Sequence, residues 1–179
     1  MSGAFGSEVD GRGEILGSGY HRGWVLAGGV RTHYWWAGTE GPVVLLLHGG
    51  GPGASGEAAW RHMLPALADA GFRAIAPDQL SYGYTDARPH AWPVRGHQSL
   101  VDHVRDFVDA LCLDEVGIVG NSRGAYVGVK YALEHPERVS RMFLISSGAN
   151  LSARPHTSLP GISQLGSVCS RLNTSQRRG

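Results

Sequence analysis

The sequence predicts an α/β fold, a mostly parallel sheet of about six strands flanked by helices. Three observations carry that prediction. Val43 to Leu47 is an uninterrupted apolar run with the length of a strand and no alternation, the pattern of a strand buried on both faces. From residue 59 to residue 145, segments of helical period alternate with further short apolar runs, the rhythm of βαβ units. Two strand-like segments near the front meet at Gly28-Gly29, a hairpin signal.

Taken in order, residues 1–22 are rich in Gly and Ser with little periodicity, and read as a loose leader. Trp24 to Leu26 and Arg31 to Trp36 form the hairpin, and Val43 to Leu47 is the first fully buried strand. After a glycine-rich loop, Ala59, Trp60, Met63, Leu64, Leu67 and Ala68 fall at helical spacing, with Gly71 as the C-terminal stop. Phe72 to Ala76 is a strand and Pro77 to Pro93 a polar loop. A second helix places Leu100, Val101, Val104, Phe107, Val108 and Leu111 on one face. Val116 to Val119 is a strand, Arg123 to Glu134 a helix and Met142 to Ile145 a last strand. Residues 23–150 make one core domain. Residues 151–179 make an irregular tail, whose last 28 residues hold six serines, four arginines and no acidic residue.

Composition narrows the function classes. A net charge of +1 offers no electrostatic footprint for nucleic acid. No apolar run approaches the ~20 residues that span a bilayer, and the N-terminal segment, with Glu8, Asp10 and Glu14, lacks the apolar stretch of a signal peptide. Two isolated cysteines, Cys112 and Cys169, make neither a disulfide framework nor a zinc site. The expectation is a soluble cytoplasmic protein acting on a small molecule, without cofactor or metal.

Two motifs carry chemistry. Gly120-Asn121-Ser122-Arg123-Gly124 lies between a predicted strand and a predicted helix. A nucleophilic serine needs a sharp, strained strand-to-helix turn to project its hydroxyl, and glycines two before and two after remove the side chains that would clash there. The next helix turns its N-terminus toward developing negative charge. The second motif, His48-Gly49-Gly50-Gly51-Pro52-Gly53, comes after the buried strand. Consecutive glycines can present backbone N–H groups unobstructed. A tetrahedral intermediate needs two donors. One is the N–H of Arg123, the residue after the serine. The other is expected from Gly50, with Gly49 and Gly51 as alternatives.

With these motifs the chain resembles the α/β-hydrolase superfamily, and most of all the meta-cleavage-product hydrolases, which cut carbon–carbon bonds and carry a similar HGGGPG loop and GNS elbow. Asp78 to Asp86 is similar to that family's D-x-x-G-x-G-x-S-D loop, with Ser81 in place of the first glycine and Thr85 in place of the serine. The resemblance covers about residues 24 to 150. It implies a serine hydrolase of esters or of vinylogous diketones with Ser122 as nucleophile. It also implies Asn121 near the carboxylate end of the substrate. Read from the residues alone, Asn121 could equally brace the elbow by a hydrogen bond, and Asp78 and Asp86 shape their loop. His97, after Gly96, is a surface or capping residue.

Beyond Ser122 the chain departs from the family. A nucleophile needs a base and the base an orienting acid, in the order serine, acid, histidine. Glu137 is the last acidic residue, the one histidine after His135 is His156, and Asn150 stands where some relatives place their acid. The superfamily's eight-stranded sheet implies that the lid and the last two strands are lacking. A truncated product with impaired turnover, and a last strand open to self-association, are the expectation. Two other readings remain open. Gly51-x-Gly53-x-x-Gly56 with Asp78, 22 residues on, has the spacing of a dinucleotide-binding loop. A non-catalytic scaffold would explain the missing acid and base.

Overall fold

The structure is a computed structural model, and it describes residues 19–146. The predicted leader before residue 19 and the tail after residue 146, with Asn150, His156 and Cys169, lie outside the described residues.

Among the described residues, six strands form one sheet: β1 (His21–Ala27), β2 (Val30–Ala37), β3 (Val43–Leu47), β4 (Arg73–Pro77), β5 (Val116–Asn121) and β6 (Val139–Ile145), in the spatial order β1-β2-β4-β3-β5-β6. Strands β4, β3, β5 and β6 run parallel, while β2 is antiparallel to both β1 and β4. The hairpin turn is made by Gly28 and Gly29, both at positive φ (54° and 84°), which is the pairing a two-residue turn between twisted strands demands.

The first buried strand has the predicted bounds. Its residues divide by parity: Leu45 and Leu47 enter the cluster with Phe107, Val104 and Tyr131, and Leu46 enters the cluster with Trp35, Trp60 and Leu64 on the opposite face. All three leucines are fully buried, each stabilising the fold by roughly 1.5–3 kcal/mol.

The predicted helix over 59–68 is two helices, α1 (Gly56–Trp60) and α2 (Met63–Asp69). Pro65 is the physical reason. It has no N–H to give the Arg61 carbonyl, and its ring crowds that carbonyl, so the turn before it cannot continue a single helix. Ser55 caps α1, its hydroxyl accepting from the Ala58 N–H at 3.0 Å. α2 ends as predicted at Gly71. There the Phe72 N–H reaches the Leu67 carbonyl and the Gly71 N–H the Ala68 carbonyl, the double bond of a Schellman stop.

α3 (His97–Ala110) buries the predicted apolar face, and α4 (Arg123–Glu134) has the predicted bounds. Both pack on the Leu45 and Leu47 face. The outer strands are longer than the apolar signal. β1 begins at His21, with Tyr20 already buried, and β6 begins at Val139, where exposed Ser140 and Arg141 interrupt the pattern.

Candidate active site

The carboxyl ends of β3 and β5 lie side by side, Leu47 opposite Gly120, so the segments that leave them meet. From β5 the chain turns at Ser122 into α4. Ser122 has φ 52° and ψ −114°, a backbone conformation that costs a non-glycine residue about 1–3 kcal/mol. The turn is held by the Ser122 N–H on the Ile145 carbonyl of β6 at 2.9 Å.

The two flanking glycines are explained by space, each against a different neighbour. A Cβ on Gly120 would sit 2.6 Å from the Ala125 Cα, across the turn. A Cβ on Gly124 would sit 2.1 Å from the Leu47 carbonyl oxygen, so this glycine serves the packing of α4 on β3 rather than the turn itself.

The glycine loop after β3 faces the serine. A Cβ on Gly49 would lie 3.3 Å from the Ser122 Cβ and 3.6 Å from the Asn121 Nδ2. Gly50 lies against the Arg123 guanidinium, 3.2 Å from Nη1 to the place of a Cβ. Gly51, at φ 140°, turns its N–H toward the Tyr82 hydroxyl at 3.5 Å. The structure thus brings Gly49, Gly50, Asn121, Ser122 and Arg123 together and sets Gly51 at the rim. Ser122 is exposed, and neither its hydroxyl nor the Asn121 side chain makes a hydrogen bond among the described residues. The bracing bond considered for Asn121 is therefore not formed among them.

His48 was invisible as a site residue, because its role depends on a residue 31 positions away. Its Nδ1–H donates to the Gly49 carbonyl at 2.7 Å, and its Nε2 accepts from the Gln79 N–H at 3.0 Å. A carbonyl can only accept and an amide N–H only donate, so the ring is fixed as one neutral tautomer. Burial pushes its pKa below the usual value, against the raising effect of the Gly49 carbonyl and Asp78 and with the lowering effect of Arg123. His48 is fully buried and orients the glycine loop; it has no free nitrogen with which to act as a base. Gln79 closes the bracket by donating from Nε2 to the His48 carbonyl at 2.5 Å.

Asp78 shapes its loop, as predicted. Its Oδ1 accepts from the Gly56 N–H at 2.6 Å, and its Oδ2 from His33 Nδ1 and the Tyr84 N–H, both at 2.9 Å. The carboxylate is wholly buried and committed. It has no edge to offer a ribose, and the helix after the glycines is five residues long, so the Gly51-Gly53-Gly56 spacing does not make a dinucleotide site. Asp86 pairs with Arg88 on the surface, whose hydrogen bonds hold its pKa down to about 2. His97 is exposed at the start of α3, its ring 5.0 Å from that of Tyr126 and tilted against it by 57°.

An open cleft of about 670 Å³ runs beside this group, lined by Gly51, Gly53, Glu57, Ser81, Tyr82 and Tyr84 among others. Tyr82 stands between cleft and elbow. Its hydroxyl accepts from Arg123 Nη1 at 3.0 Å, and the guanidinium carbon lies 4.4 Å from its ring centroid. Burial alone would raise the phenol pKa, but the Arg123 hydrogen bond, the Gly51 N–H and the Arg123 charge outweigh it and hold the pKa below the usual value.

A parallel sheet crossed by a strained serine turn at one strand end, with a glycine loop facing it, defines a class, and sequence comparison agrees. The chain belongs to the α/β-hydrolase family, whose model, described as "alpha/beta hydrolase fold", matches residues 42–164. Among its relatives, it is similar to the 2-hydroxy-6-oxo-2,4-heptadienoate hydrolase of Pseudomonas putida, 42% identical over 123 residues, covering 69% of this chain and 43% of the relative. Among solved structures, it is similar to a meta-cleavage product hydrolase from Pseudomonas fluorescens complexed with acetates (43% identity, TM-score 0.62, 67% of this chain and 43% of that one). It is also similar to the 2-hydroxy-6-oxo-6-phenylhexa-2,4-dienoate hydrolase of a Rhodococcus (32% identity, TM-score 0.68, 76% of this chain and 50% of that one). The chain spans about half or less of the length of these relatives. Among the described residues, no helix is long and apolar enough to cross a membrane.

Proposed function

We propose that this chain carries the nucleophile half of a serine hydrolase that cleaves a carbon–carbon bond in a vinylogous diketone, or an ester. The observation that carries the reading is Ser122 itself, an exposed serine held at φ 52° between strand and helix and facing Gly49. A strained conformation of this kind persists only where the surroundings over-determine it, and such positions cluster at active sites. The relatives named above act on dienoates with a 6-oxo group, which supplies the carbonyl carbon that a serine attacks.

In this reading Ser122 Oγ bonds to the carbonyl carbon, and the carbonyl electron pair moves to oxygen. The N–H groups of Arg123 and Gly50 receive that oxyanion, with Gly49 beside it. The acyl bond to the leaving carbon or oxygen then breaks, and the leaving group takes a proton. Water cleaves the acyl-serine, and Ser122 regains its hydrogen. The proton that Ser122 gives up at the first step has no acceptor within hydrogen-bond distance among the described residues, and His48 is committed elsewhere. We therefore expect slow turnover from the 179-residue chain, since loss of triad members costs on the order of four powers of ten or more in rate. No cofactor enters this chemistry. The exposed free thiol of Cys112 suits a reducing, cytoplasmic setting.

The test is labelling of the purified chain with a fluorophosphonate, beside hydrolysis of an activated ester. Covalent labelling that disappears in Ser122→Ala supports the reading. A folded chain that never labels favours a second reading, a non-catalytic scaffold, for which the Ser122 hydroxyl, without a hydrogen-bond partner among the described residues, speaks. Ester turnover at the rate of an intact serine hydrolase overturns the expectation of slow turnover.

A further inference from the structure

Four arginines among the described residues, Arg88, Arg95, Arg105 and Arg138, find a carboxylate within ion-pair distance. Arg123 does not. Its Nη1 donates to the Tyr82 hydroxyl, a neutral acceptor, while Nε and Nη2 are buried and have no hydrogen-bond partner among the described residues. A guanidinium remains charged at any working pH and offers a planar fork of donors. Burying such a cation without a counter-ion is costly, so the arrangement holds an unspent capacity for an anion.

Its position says which anion is useful. Arg123 comes directly after Ser122, and its guanidinium lies over Gly50, where any side chain would intrude at 3.2 Å. Gly49, the neighbouring residue, touches Ser122. The cation therefore sits on the glycine loop within one residue of the serine, at the Tyr82 wall that the cleft shares. A fork of parallel donors matches the two oxygens of a carboxylate.

We propose that Arg123, through its side chain, is the anchor for the carboxylate of a small organic acid whose other end lies at Ser122. This deepens the reading of the site given above and rests on it. The outer bonds of Arg123 rotate to meet the carboxylate, and among the described residues the only side-chain hydrogen bond given up is the neutral one to Tyr82. An arginine already in an ion pair would have to surrender that pair first. Release of Tyr82 has its own signature. The phenol loses the hydrogen bond and charge that hold its pKa down, and that pKa rises when the anion binds.

The experiment titrates the purified 179-residue chain with benzoate, and in parallel with uncharged benzamide and with inorganic phosphate. NMR tracks the Arg123 Nε–H and the Tyr82 ring carbon. Saturable benzoate binding that moves both signals is expected. Binding should weaken about tenfold to a hundredfold in Arg123→Met, the range for loss of a charge-assisted hydrogen bond. Arg123→Gln serves where Arg123→Met fails to fold, and Arg123→Lys should recover part of the affinity. Equal binding to wild type and Arg123→Met, or no saturable binding by the folded wild type, overturns the proposal. Equal binding of benzamide overturns the role of charge, and equal binding of phosphate overturns the carboxylate assignment. Because the readout is equilibrium binding, Arg123-dependent benzoate binding in a chain whose Ser122 never labels would leave the anion site standing and remove the nucleophile.

Discussion

His33 Nδ1 and the Asp78 carboxylate meet at 2.9 Å with both side chains fully buried, and this contact ties β2 to the loop that leaves β4. Asp78 also receives the N–H of Gly56, at the start of α1, and of Tyr84, so one carboxylate fixes three segments around the site. Asp78→Ala would leave two buried donors, His33 Nδ1 and the Gly56 N–H, without an acceptor, and would turn the part-buried Tyr84 N–H to water. Each orphaned buried group costs about 1–3 kcal/mol, and the expected loss of stability is at least about 2 kcal/mol. Urea unfolding of the variant beside wild type measures it, and a loss below about 1 kcal/mol would show that water or repacking replaces the carboxylate.

A second buried histidine should govern acid stability. His103 lies on α3 with its Nε2 2.8 Å from the Thr32 hydroxyl of β2. Burial pushes its pKa from 6.5 down to about 4, with Asp106 pulling weakly the other way. The folded state therefore refuses a proton that the unfolded chain accepts between those values. Stability is complete above about pH 6.5 and falls as pH drops to about 4, by an amount on the order of 3 kcal/mol. His103→Gln should flatten that decline. His48, also lowered by burial, will leave a residual slope. Unfolding midpoints measured across this range decide the matter; the same slope in both proteins sinks it.

Ser81 stands where the resembling loop carries glycine, and it adopts a glycine's conformation, φ 68°. A left-handed backbone costs an L-residue about 1–2 kcal/mol, while glycine gives back about 0.5–1 kcal/mol through the freedom of its unfolded state. Ser81→Gly should therefore stabilise the chain by up to about 1 kcal/mol, because the exposed hydroxyl makes no hydrogen bond among the described residues that would be lost. A raised melting temperature is the expected readout, and a lowered one would show that the hydroxyl contributes more than the strain.

The parts of this molecule that could be read from sequence are those whose requirements are local. Val43 to Leu47 needs only its own five residues to announce a strand buried on both faces, and the elbow announces itself by glycines spaced around a serine between strand and helix. The break between α1 and α2 was also local, written in Pro65, but the apolar spacing runs through it and masks the signal. The half-exposed starts of β1 and β6 carry no apolar pattern to read. What sequence hides is pairing at a distance. Arg123 and Tyr82 are 41 residues apart, His48 and Gln79 are 31, and no motif joins either pair. Asn121 shows the converse, since its position beside Ser122 was legible while its side chain makes no hydrogen bond among the described residues that would assign it a role.

Among the described residues, β6 is one of the two edges of the sheet, at the opposite side from β1. Among the described residues β6 pairs only with β5, so its other edge presents backbone donors and acceptors in a row. Phe143 on this strand is 58% exposed, and Met142, Leu144 and Ile145 are only half buried. An open edge with apolar side chains is a template for a further strand, and a second copy of the same chain is always available at its own concentration. The chain should therefore associate with itself as concentration rises, seen as a growing mass by light scattering after gel filtration. Phe143→Lys places a charge on the edge, the device by which natural sheets prevent such pairing, and should shift the association to higher concentration while leaving the fold intact. A wild-type chain that stays monomeric at every concentration reached, or a Phe143→Lys chain that associates equally, would show that this edge is not where copies meet.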